Sequence, residues 1–214
     1  MSALRHRLLV IALLTGAAVC YGGRVPARVI PVTTWAAGSP GARVVADTLA
    51  RVLARAAADS AFPGGFAVVG RRSGIIAYAS VGRIDWDSAA PRPSEHTLWD
   101  LASLTKVIGM TSAMMQLVER GRVELDAPAQ RYIPEWVGSS RAQVTVRHLL
   151  THTSGLPAFR RYDTLTTNAD SIAALLLAEL LDTIPGARMV YSDIGAYLLG
   201  RIVERVSGQT LDRY

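Results

Sequence analysis

The sequence predicts an α+β fold on three observations. Apolar residues recur at helical spacing in several segments, and two short apolar runs flank Arg71-Arg72-Ser73-Gly74 in the manner of a β-hairpin. Of the 214 residues, 50% are hydrophobic and 19% charged, enough to bury a sizeable core and too few charges for disorder.

Taken in order, residues 1–21 read as a signal peptide or N-terminal anchor. Arg5 and Arg7 precede a run from Leu8 to Val19 that is apolar apart from Thr15. The run is shorter than the roughly 20 residues that span a bilayer, so export is expected, to the periplasm or beyond, with membrane anchoring as the alternative. Cys20, the only cysteine, closes this segment and raises lipidation; Val19 stands where such sites usually have a small residue. Residues 22–41, rich in Gly, Pro, Ala and Thr, read as a linker. The folded domain is expected over 42–214.

Val44, Val45, Thr48, Leu49, Val52 and Leu53 predict an amphipathic helix over 42–58. Strands are expected at 66–69 and 75–81, with Gly74 taking the positive φ of the turn. Residues 82–95 are polar and contain proline, hence loop. From Ser103 to Arg120 the residues Val107, Ile108, Met110, Met114, Met115, Leu117 and Val118 predict a core helix apolar on nearly every side, ended by Gly121. Further helices are expected at 145–151, 170–182 and 193–206, the last closed by Gly208. Two strands are few for so many helices, because an isolated hairpin is marginal in water. The sequence is therefore expected to be truncated at its C-terminal end, with further strands beyond Tyr214.

Charge excludes one class of function. The net charge of +6 includes Arg5 and Arg7, and the other arginines are scattered singly or in pairs, without the dense basic face that nucleic acids require. Lysine usage points to another class. Lys106 is the single lysine among 23 basic residues, and it lies three residues after Ser103 in Ser103-Leu104-Thr105-Lys106. On a helix, positions i and i+3 share a face, so the amine can reach the hydroxyl. A guanidinium does not lose its proton, whereas a partly buried ammonium can, and a serine needs a base before it is a nucleophile. The alternative is a helix N-cap serine followed by a solvated lysine. His148 and His152, at i and i+4, could be a metal pair, but no H-E-x-x-H pattern and no nearby third ligand accompany them. No cofactor is implied.

Ser103-Leu104-Thr105-Lys106 is followed by His152-Thr153-Ser154-Gly155-Leu156, by Tyr191-Ser192-Asp193 and by Leu198-Leu199-Gly200-Arg201-Ile202-Val203-Glu204. Together with Val123-Glu124-Leu125-Asp126-Ala127-Pro128, this series resembles the serine hydrolases related to class C β-lactamases, DD-carboxypeptidases and their esterase relatives. S-x-x-K is itself a signature of β-lactamases and penicillin-binding proteins. The resemblance runs from about residue 61 to 214. It implies a β-lactamase/transpeptidase-like fold, an antiparallel sheet flanked by helices with a helical subdomain in three α/β/α layers, whose C-terminal strands are not in this chain.

The resemblance also implies roles. Ser103 would be the acylated nucleophile, with its own N–H as half of an oxyanion hole; Lys106 would share or relay the proton; Tyr191 would sit against both as a base. Asp193 and His152 would bind substrate or support the site. Two departures stand out. Asp193 occupies a position where β-lactam-specialised members commonly carry Asn, and a carboxylate cannot donate to a substrate carbonyl. No Lys-Thr-Gly or His-Thr-Gly follows Tyr191, so the strand that gives the second oxyanion donor is not identified. The expected function is an exported serine hydrolase acting on an ester, amide or β-lactam carbonyl of a small molecule or peptide, with Asp193 favouring an esterase or peptidase. The alternatives are a non-catalytic module that binds penicillin or cell-wall peptide, an inactive fragment, or a membrane-anchored structural protein.

Overall fold

The computed structural model describes residues 30–214. The leader, with Arg5, Arg7 and Cys20, lies outside the described residues. Among those described, no helix is long and apolar enough to cross a membrane. The chain divides into two compact units between Leu101 and Ala102, inside the 42–214 region that the sequence suggests as one domain.

The first unit is built on a three-stranded antiparallel sheet of order β1-β3-β2, with β1 Val32–Ala36, β2 Gly64–Arg71 and β3 Gly74–Gly82. The hairpin is where the sequence places it, and Gly74 carries φ 130°. The 22–41 linker is corrected in part, because Val32–Ala36 pairs along β3 from Val81 to Ala77. Pairing with β3 explains why a strand hides in this Gly- and Pro-rich stretch. Trp35 stands opposite Tyr78 and stacks on it at 5.9 Å, one aromatic pair supplying the side-chain contact a short edge strand needs. On the other face Ala77, Ala79 and Val81 are buried, and α1, Pro40–Ala58, packs there through Leu53. The helix starts two residues before the predicted point because Ser39 caps it, accepting from the Ala42 N–H, and Pro40 suits a first helical turn.

The second unit is helical. Its core gathers Met114 and Leu117 from α2 (Ser112–Glu119), Leu149 from α3 (Val146–Leu150), Leu198 and Ile202 from α5 (Asp193–Ser207), and the buried Trp136 from the intervening loop. Gly208 ends α5 with φ 77°, as the sequence predicts. The fourth helix, α4, Ala169–Ala178, is shorter than the predicted 170–182 because Glu179 is already extended. The Arg141 guanidinium, 9% exposed, takes over the freed carbonyls, donating to Ala178 O and Glu179 O.

The helix after Ser103 differs most from expectation. A π-helical segment, Lys106–Thr111, precedes α2, and the hydroxyls of Thr111 and Ser112 donate to the carbonyls of Lys106 and Val107, each five residues back. Widening this turn rotates residues off the α-helical register. Met110, Ala113, Met114 and Leu117 face the core, while Val107, Ile108 and Met115 are 55–66% exposed. The helix is therefore amphipathic and not buried all round.

Candidate active site

Ser103 lies in a turn at the start of this helix, immediately after Ala102, whose φ is +44°. A non-glycine residue there costs about 1–3 kcal/mol, a strain found mostly at functional sites. The next turn closes by Thr105 N–H to Ala102 O and Lys106 N–H to Ser103 O. Lys106 then points back over Ser103 and its Nζ donates to Ser103 Oγ at 3.1 Å. The i, i+3 spacing thus makes the contact expected of it.

The same ammonium is 2.7 Å from Asp193 Oδ1 and 5.1 Å from the centre of the Tyr191 ring. Burial opposes its charge, but hydrogen bonds and charge from Asp193 and Tyr191 outweigh burial, and the Lys106 pKa lies above its ordinary value. This corrects the expectation of a lowered pKa and a neutral amine. Two features decide it: the Lys106 side chain keeps 22% exposure, and a carboxylate stands against it.

Tyr191 and Asp193 are delivered by the segment that enters α5. Ser192 caps that helix: its Oγ accepts from Gly195 N–H and donates to Pro157 O at 2.7 Å, and the residue is 1% exposed. Asp193, in the first turn of α5, suits the positive end of the helix dipole. His152 holds the segment from the other side. Its carbonyl accepts from Val190 N–H, its Nδ1 accepts from Ser192 N–H at 3.1 Å, and its ring lies 4.6 Å from that of Tyr191. Burial and the Lys106 charge lower the His152 pKa, and Asp193 opposes them. His152 itself sits at φ +58°. Close by, Gly155 holds φ +83°, and a Cβ there would lie 2.1 Å from Thr183 O, so only glycine fits.

All five predicted residues, Ser103, Lys106, Tyr191, Asp193 and His152, therefore come together within the second unit. Two contributors were not foreseen, the cap residue Ser192 and the strained Ala102. Ser192 had a readable signal, a serine immediately before a helical apolar pattern. Ala102 had none. His148 does not join the site: its N–H and Nδ1 form a capping box with Thr145 at the head of α3. Among the described residues no group of three His, Cys, Asp or Glu is arranged to hold a metal. A pocket of about 400 Å³ borders Lys106 and Asp193, with Met110, Tyr197 and Leu211 in its lining.

A family profile described as Beta-lactamase matches residues 49–214. The chain belongs to the beta-lactamase family. Among curated members, it is 34% identical over 186 residues to "Esterase EstB" of Burkholderia gladioli, covering 78% of this chain and 47% of that protein. It is 31% identical over 172 residues to the "N-acetylmuramyl-L-alanine amidase" of Bacillus subtilis (strain 168), covering 72% and 39%. Among solved structures, a class C beta-lactamase aligns with TM-score 0.68 and 26% identity, covering 83% of this chain and 48% of that one. The chain thus spans about half the length or less of these relatives. The beta-lactamase fold is shared, as an antiparallel sheet with helices, over the part the chain contains.

Proposed function

We propose that the protein is a serine hydrolase that forms an acyl-enzyme at Ser103 on an ester or amide carbonyl. The observation that carries this reading is the bridge by Lys106, which reaches Ser103 Oγ at 3.1 Å and Asp193 at 2.7 Å from one ammonium. A lysine held protonated is not the base; it is a fixed positive charge beside the reacting oxygen. Tyr191 is the remaining proton-transfer group against it. As Ser103 Oγ attacks the carbonyl, the Tyr191 oxygen accepts the serine proton while its own passes to the leaving group. Water then attacks the acyl ester, and the relay runs in reverse to return the proton to Ser103. The Ser103 N–H, at the head of its helix, supplies one donor to the oxyanion.

Asp193 weighs on substrate class. Its carboxylate accepts only and is engaged with Lys106, so it offers no donor to an amide side chain of the kind β-lactams carry. An esterase or peptidase activity fits better, and the relatives named an esterase and an amidase support the same range. Export to the periplasm or beyond is part of the proposal and rests on the Arg5, Arg7 and Leu8 to Val19 leader alone. The test is covalent labelling by a fluorophosphonate followed by peptide mass analysis. Label on Ser103 that disappears in Ser103→Ala supports the reading; label that persists in that variant overturns it.

A further inference from the structure

His152 makes three contacts with the segment that carries Tyr191 and Asp193, two through its backbone and ring nitrogen and one through its ring face. The ring-nitrogen contact carries chemical information. Ser192 N–H is a donor, so Nδ1 must offer a lone pair, and a neutral imidazole that accepts at Nδ1 carries its proton on Nε2. Protonation would convert Nδ1 into a second donor facing the Ser192 N–H, and would place a cation in a site that already holds the Lys106 ammonium. The groups around the ring are Lys106 from the helix after Ser103, and Tyr191 and Asp193 from the segment entering α5. Of these only Asp193 favours a charged imidazole, and its carboxylate is already paired with Lys106.

We propose that His152 is a positioning residue that holds Tyr191 and Asp193 against Ser103 and Lys106 only as the neutral Nε2–H tautomer, so that its protonation releases the segment and switches the site off in acid. The proposal builds on the hydrolase reading above. Its structural half, the tautomer and the linked segment, stands apart from turnover. Burial and the Lys106 charge place the switch below the ordinary histidine value of about 6.5. Above that value the Ser192 contact is intact, and as pH falls through the lowered pKa it is lost.

The deciding variant is His152→Asn. Its side-chain oxygen can stand near the Nδ1 position and accept from Ser192 N–H, and asparagine tolerates the positive φ at this site, but it cannot be protonated. Imidazole ¹⁵N spectra of the full chain should show the Nε2–H tautomer, and the Ser192 amide and Tyr191 ring resonances should move with the His152 titration and stop moving in His152→Asn. In parallel, kcat/KM on a p-nitrophenyl ester should fall at least tenfold on the acid side, and that limb should be absent from the pH profile of whatever turnover His152→Asn retains. An Nδ1–H tautomer, Ser192 and Tyr191 resonances indifferent to the titration, or an acid limb unchanged in His152→Asn would each overturn the proposal. Absence of Ser103-dependent turnover would count against the hydrolase reading and leave the spectroscopic result to decide the tautomer and the clamp.

Discussion

Lys106 Nζ stands 2.7 Å from Asp193 Oδ1 and 3.1 Å from Ser103 Oγ, so one ammonium ties the turn after the strained Ala102 to the first turn of α5. The contact joins residues 87 positions apart in sequence, from Lys106 to Asp193. It bears on the protonation state of the site, because Asp193 and Tyr191 together favour the charged lysine more than partial burial disfavours it.

Being the sole lysine, Lys106 gives a direct spectroscopic readout. With ¹³C-lysine labelling, its single Cε resonance should titrate above the ordinary lysine value, and Asp193→Asn should move that titration downward. The sign for stability follows from the raised pKa. The ion pair's contribution is full below the unfolded lysine value and is lost as pH rises through the folded one. A Cε titration unmoved by Asp193→Asn would show that the pair is not formed in solution.

Replacing Lys106 by Ala should lower kcat/KM by about 10² to 10⁴, the range typical of acid–base and electrostatic groups. Lys106→Arg keeps the charge and should retain more activity than Lys106→Ala. Steady-state rates on a p-nitrophenyl ester compare the two; an Arg variant no better than Ala would mean that a removable proton, and not a fixed charge, is what the site uses.

Tyr191→Phe removes the hydroxyl and leaves the ring that packs on His152. Turnover should drop by about 10² to 10⁴ while urea unfolding shifts by no more than about 1 kcal/mol. Native turnover in this variant would take Tyr191 out of the proton relay.

Gly155→Ala tests the loop behind the site. The residue needs φ +83° and its Cβ would collide with Thr183 O at 2.1 Å, an unyielding backbone atom. A loss of about 2 kcal/mol or more in urea denaturation is expected, since both strain and displacement of the 183–184 backbone contribute. A change below about 0.5 kcal/mol would show that the loop adopts another conformation.

Much of this site was legible because its signals are local. Ser103 and Lys106 share a helix face by spacing, Gly74 and Gly208 mark the turn and the helix end, and the Tyr191-Ser192-Asp193 and His152-Thr153-Ser154 motifs carry their own recognition. The family followed from those motifs together, and the α+β class from helical periodicity and the hairpin pattern. Strand β1 was not legible, because its five residues lie in a Gly- and Pro-rich stretch and exist as a strand only through pairing with β3.

The sequence by itself determined the candidate site residues and most of the elements that bear them, since periodicity, turn glycines and motif order are properties of neighbouring residues. Tertiary structure decided the rest. It set Lys106 as an ammonium and not a free amine, His152 as an acceptor toward Ser192, and the helix after Ser103 as π-widened with one apolar face exposed. A pKa, a tautomer and a buried face each depend on which groups from distant parts of the chain come within a few ångströms, and that proximity exists only once the chain has folded.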